Sequence, residues 1–110
     1  MIPVILESPF AAETAEKVQN NTDYARACLK DSLLRGEAPM ASHLLYTQPG
    51  VLDDTVPTQR QLGIEAGLSW GALAERTVVY TDLGITEGMR TGIQRAKDQN
   101  QEVLYRSLYT

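Results

Sequence analysis

The chain opens on an almost unbroken apolar run, Ile2-Pro3-Val4-Ile5-Leu6, that stops at Glu7-Ser8-Pro9-Phe10. Such a run predicts a strand covered on both faces, as in a parallel sheet, and proline ends its ladder pairing. Ala11 to Asn20 is polar and alanine-rich, a loop or a short helical turn. Asn21 or Thr22 is then a good N-cap, with Asp23 favourable in the first turn. Ala25, Cys28, Leu29 and Leu33 follow at helical spacing. Gly36 and Pro39 mark the stop, so a helix is predicted from about Thr22 to Arg35.

Ser42-His43-Leu44-Leu45-Tyr46 reads as a short strand, Thr47-Gln48-Pro49-Gly50 as a turn, and Val51 to Val56 as a loop. Thr58 as cap or Pro57 as first residue starts a second helix. Its inner face is expected to hold Leu62, Gly63, Ala66, Gly67, Trp70, Leu73 and Ala74. Glycines inside a helix cost about 1 kcal/mol each relative to alanine, so these imply another backbone or partner helix in close approach. Thr77-Val78-Val79-Tyr80 is a strongly β-prone run and is predicted to be a central strand. Thr86 caps a third helix with Met89, Gly92, Ile93 and Ala96 inward; Asn100 ends it, and Glu102 to Tyr105 is the last strand. The order βαβαβαβ predicts one α/β domain over residues 1–110, an open parallel sheet with helices on both faces. No internal repeat, low-complexity tract or linker interrupts it.

At 110 residues there is room for one core. The net charge of −4 and scattered basic residues argue against a nucleic-acid polymer as partner. Cys28 is the only cysteine, which excludes an internal disulfide and a thiolate-rich zinc site and suits a small buried hydrophobe. No run is long enough to span a bilayer, and the acid at Glu7 makes the first run a strand rather than a signal peptide. A cytoplasmic protein is expected, with no metal and no cofactor.

In open α/β sheets ligands sit outside the carboxyl ends of the strands, where strand order reverses. With an order 2-1-3-4 that point lies between the loops Glu7 to Phe10 and Thr81 to Met89. Asp82 is placed to accept from a polyol, Gly84 permits a positive φ, and the amides after Thr86 form a helix start that favours an anion. Glu87 opposes that preference. Ser8 is a donor for a phosphate or sugar. Phe10 either stacks on a base or packs on the sheet edge, the latter being favoured. Neither a G-x-G-x-x-G nor a P-loop motif is present, which argues against a dinucleotide or P-loop enzyme. Tyr46 and Gln48 end the second strand and would line the same edge. Arg60 meets an anionic ligand or is a surface charge. His43 is read as structural, and Trp70 as part of a core stripe.

The strand ending in Ser8-Pro9-Phe10, the helix with Asn21 and Tyr24-Ala25-Arg26, Gly36-x-x-Pro39, and Val79-Tyr80-x-Asp82-x-Gly84-x-Thr86-x-Gly88-Met89 together resemble the nucleoside 2-deoxyribosyltransferase-like superfamily, above all its short bacterial and phage members. The resemblance implies a three-layer flavodoxin-like sheet, a nucleoside or nucleotide pocket at the edge just described, and homo-oligomers in which a neighbour helps close the site. The family's transferases carry a nucleophilic Glu in a pattern like S-x-G-x-x-x-E. Laid on Thr86 to Gly92, that pattern puts Gly92 where the Glu belongs. The expected ligand-binding set is therefore Ser8, Pro9, Phe10, Tyr46, Gln48, Arg60, Asp82, Gly84, Thr86, Gly88 and Met89, used for binding without turnover, as in phage sequestration of a signalling nucleotide. Cleavage of an N-glycosidic bond by a substitute acid (Glu87, Asp82 or Glu7) is the alternative, and an oligomeric protein with a vestigial pocket the third.

Overall fold

The computed structural model describes residues 1–109. In chain order its elements are β1 (Ile2–Glu7), α1 (Ala15–Leu34), β2 (Glu37–Met40), α2 (Ser42–Leu45), α3 (Pro57–Gly71), β3 (Arg76–Tyr80), α4 (Glu87–Asp98) and β4 (Glu102–Arg106). The four strands form one sheet in the order β2-β1-β3-β4. All pairings are parallel, with Ile2 opposite Glu37, Leu6 opposite Val78, and Tyr80 opposite Arg106. The predicted class and strand order are those observed.

The period-two alternation of strand side chains divides the core between the two faces. Val4, Leu6, Val78 and Tyr80 meet Tyr24 and Cys28 of α1, while Val79 meets Met89 and Ile93 of α4. Each fully buried Leu or Val contributes on the order of 1.5–3 kcal/mol. The inward stripe of α4 is the expected one, with Met89, Gly92, Ile93 and Ala96 buried. Thr86 caps it by accepting from the Met89 amide, and Asn100, at φ 53°, turns the chain out.

Three elements differ from the sequence expectation. Helix α1 begins a full two turns earlier, because Thr14 accepts from the Lys17 amide and caps it. Asn21 instead reaches across to the Phe10 carbonyl (2.9 Å), and Thr22 bonds back to the Val18 carbonyl. The second strand is Glu37–Met40, not Ser42 to Tyr46, which forms the single helical turn α2 and its cap. Proline is tolerated in β2 because it is an edge strand. Helix α3 starts with Pro57 at its first position after Val56, and Thr58 does not cap it. Its sheet side carries the half-buried Ile64 and Leu68, whereas Leu62, Trp70 and Leu73 are exposed. The small residues do serve close approach. A Cβ at Gly67 would lie 2.5 Å from Ser42 Oγ of α2, and one at Gly63 would touch Leu52 at 3.4 Å. No helix is long and apolar enough to cross a membrane among the described residues.

Candidate functional site

Beyond the carboxyl ends of β1 and β3 lies a cavity of about 560 Å³, within the range of roughly 300–1,000 Å³ that small-molecule sites occupy. The end of β1 supplies Glu7 and Ser8, and the following loop supplies Phe10. One turn of α2 supplies Ser42, His43 and Tyr46; α3 adds Arg60, Gly63 and Gly67; the start of α4 adds Thr86, Glu87, Gly88 and Met89, with Gly92 and Arg95 deeper along the helix.

Glu7 is the unusual group. It ends a strand whose next residues are buried, so the protein surrounds its carboxyl while the oxygens open onto the cavity. Burial pushes it up to about 8, against the smaller opposing pull of the Arg95 guanidinium. No hydrogen bond holds it. It rests on Gly92, where an added Cβ would run into the carboxyl. Arg95 donates from Nη1 to the Gly71 carbonyl (3.1 Å), Gln101 (3.0 Å) and Gln99 (3.1 Å), and from Nη2 to Thr77 (3.0 Å).

Ser8 Oγ lies 2.7 Å from His43 Nε2. Burial pushes the imidazole down to about 4, so it is neutral at physiological pH and the contact is an ordinary neutral hydrogen bond. At the rim, the Trp70 indole donates to the Tyr46 hydroxyl (2.8 Å), and Arg60 pairs with Asp54 (3.0 Å). Among the described residues no group of three His, Cys, Asp or Glu side chains is placed to hold a metal ion.

Of the residues expected to bind, Ser8, Phe10, Tyr46, Arg60, Thr86, Gly88 and Met89 come together around this cavity. Pro9 is buried behind the loop. Gln48 lies in a shallower neighbouring depression and donates to the Leu45 carbonyl. Asp82 and Gly84 are not part of the cavity wall. Gly84 has the expected positive φ, 89°, and serves the turn. The Asp82 carboxylate is taken up by the protein itself: it accepts from the Tyr24 and Ser107 hydroxyls, the Leu108 amide (2.9 Å) and the Tyr109 amide (3.4 Å). Burial works against its charge, but these bonds prevail and hold it at about 2. A carboxylate so engaged has little left for a polyol. Glu87 sits exposed on the cavity rim. Sequence reasoning placed Gly92 at the site only through the resemblance, in the nucleophile's position, and did not place His43 and Arg95 in the cavity. An arginine on an otherwise apolar helical stripe, one turn after Gly92, was the available signal for the last.

Comparison with known proteins follows this geometry. A solved 2-deoxyribosyltransferase from the psychrotolerant bacterium Bacillus psychrosaccharolyticus, described as a biocatalyst for nucleoside synthesis, superposes with a TM-score of 0.64 at 17% identity. The match covers 96% of this chain and 72% of that one. The class is thus an α/β protein of deoxyribosyltransferase-like fold. Within it, the chain belongs to the family described as Domain of unknown function (DUF7768), which matches residues 2–106. A search of curated proteins finds no match.

Proposed function

We propose that the chain binds a nucleoside or nucleotide in the cavity between β1, α2, α3 and α4, and holds it without turnover. The observation that carries this reading is the cavity itself. It lies at the strand-order switch point, has the volume of a small-molecule site, and is walled by apolar groups such as Ile5, Phe10, Leu52, Ile64 and Leu68 together with many polar and charged ones. The N-terminus of α4 favours a phosphate at one end, and Phe10 offers a ring for a base. The likeness of fold to a nucleoside-synthesising enzyme supports the ligand class. Calorimetry or thermal shift against a broad panel of nucleosides and nucleotides tests it. Saturable binding of at least one, weakened by Phe10→Ala and Gly88→Trp, is expected; no response to any of them sinks the reading.

One observation favours a second reading, cleavage of an N-glycosidic bond. A carboxyl does lie beside position 92, although it comes from β1 as Glu7 and not from α4. A carboxylic acid that holds its proton at neutral pH is a suitable proton donor to a leaving base. Release of free base from labelled nucleosides, lost in Glu7→Gln, is the required result.

A further inference from the structure

The cavity does not end at its rim. A second, more open hollow of about 660 Å³ adjoins it, between the loop after β1 and the loop that joins α2 to α3. The two hollows share a wall, for Phe10, Ala11, Leu52, Asp54, Gln59 and Arg60 line both. Past that wall the second hollow is lined by Ala12, Val18, Pro49 and Val51, and Val51 is half exposed. Apolar surface is thus left to water directly beside the cavity. The loop that forms the wall is braced. The Leu52 amide donates to the Tyr46 carbonyl (2.9 Å), and the Asp53 amide to Gln59 Oε1 on α3 (2.7 Å). The Asp53 carboxylate accepts from the Thr55 amide (2.9 Å) and hydroxyl (2.6 Å). A ligand in the cavity therefore has a preformed apolar bay next to it, whose ordering costs little on binding.

Charge at the junction says what could link the two. Among the described residues Arg60 is the one cation that lines both hollows. Its side chain is partly exposed, and it donates from Nη1 to Asp54 (3.0 Å). Its Nε and Nη2 edge has no partner among the described residues. That edge of a guanidinium is the one able to grip two oxygens of a single phosphate. The neighbouring charges limit how much negative charge is welcome. Asp53 and Asp54 flank Arg60, while Glu7 and Glu87 stand in the cavity wall with Arg95. One negative charge matches Arg60, whereas a chain of phosphates meets these carboxylates as well.

We propose that the site takes a ligand of two parts joined by one phosphodiester: a nucleoside in the cavity, a second planar or apolar part in the adjoining hollow, and the phosphate between them on Arg60. A dinucleoside monophosphate is the simplest member of that class. This rests on the nucleoside reading above and deepens it, by naming the ligand class and the residue that selects it.

The test is calorimetric titration of the whole chain with adenosine, guanosine, cytidine and uridine, with the 3′→5′ dinucleoside monophosphate of each, and with the 5′-triphosphate of each. At least one dinucleoside monophosphate is expected to bind about tenfold or more tightly than its nucleoside, and its triphosphate is expected to gain nothing comparable. Arg60→Gln is expected to remove that gain and to leave the nucleoside's own affinity. Ala12→Trp, at an exposed position that lines the second hollow and not the cavity, is expected to do the same. A dinucleoside monophosphate that binds no better than its nucleoside, a gain that survives either substitution, or a triphosphate that gains as much overturns the proposal and leaves the nucleoside site standing. Absence of binding by every nucleoside and every dinucleoside monophosphate overturns the site reading and the proposal with it.

Discussion

Replacing Glu7 by glutamine changes the pH dependence of stability in a defined direction. In the unfolded chain the carboxyl ionises near 4.5; in the folded protein it holds its proton to about 8. Stability linked to Glu7 is thus fully present below pH 4.5 and is lost as pH rises to 8, at about 1.4 kcal/mol per pH unit. By pH 7 the loss is roughly 3 kcal/mol. His43 acts oppositely. Burial lowers it from 6.5 to about 4, so its contribution is present above pH 6.5 and is lost as pH falls to 4. Between 4.5 and 6.5 the two slopes cancel. The wild type is expected to be level there and to weaken from 6.5 to 8. Glu7→Gln removes one slope, so its stability rises from pH 4 to 6.5 and then stays flat. At pH 7 the variant is more stable than the wild type by roughly 3 kcal/mol, about 13 °C in Tm for a domain of this size; near pH 4.5 the two coincide. Urea unfolding at half-unit pH steps measures both curves. Parallel curves between pH 5 and 8 refute the argument, since they mean Glu7 is ionised in the folded state.

Gly92→Ala is expected to cost about 1–3 kcal/mol by forcing the Glu7 carboxyl aside, and the cost should vanish in a Glu7→Ala background; a double-mutant cycle in chemical denaturation shows whether the two positions share that space. Asp82→Ala is expected to lose roughly 2–3 kcal/mol of stability through its hydroxyl and amide donors, while ligand affinity in the cavity is unchanged, as titration of a bound nucleoside checks. Arg106→Ala strands the buried Glu37 carboxylate, which Arg106 contacts at 2.6 Å and 2.7 Å, and a loss of about 3–5 kcal/mol is expected; the Arg106→Ala, Glu37→Gln pair should recover part of it in thermal unfolding.

The parts of the fold legible in the sequence are those whose signal is local. Helix α4 carries its cap, its stripe and its stop within fifteen residues, and β3 is a run of β-branched and aromatic side chains. Strand β2 has no such signal. Glu37-Ala38-Pro39-Met40 contains an acid and a proline, and Glu37 is made compatible with burial by Ser32 on the preceding helix and by Arg106, far along the chain. The candidate site divides in the same way. Ser8, Phe10 and the Thr86 to Met89 helix start follow from topology, because strand ends and helix starts are local and the switch point is set by strand order. Asp82 looked available because the residues that occupy it, Ser107 to Tyr109, carry no motif. Glu7 was legible as an acid at the pocket edge, but its burial was not, because it arises only when α4 brings Gly92 against it.

The Asp82 contacts also bear on how the chain matures during synthesis. Tyr24 leaves the ribosome long before Asp82, and Ser107, Leu108 and Tyr109 emerge well after it. A nascent chain that has just completed β3 therefore holds this carboxylate against Tyr24 alone. The clasp closes only when the residues past β4 arrive, and it joins the earliest helix to the last segment described. Folding of this edge is gated by the arrival of the tail, so ribosome-stalled chains shortened before Ser107 should remain protease-sensitive around the β3–α4 loop.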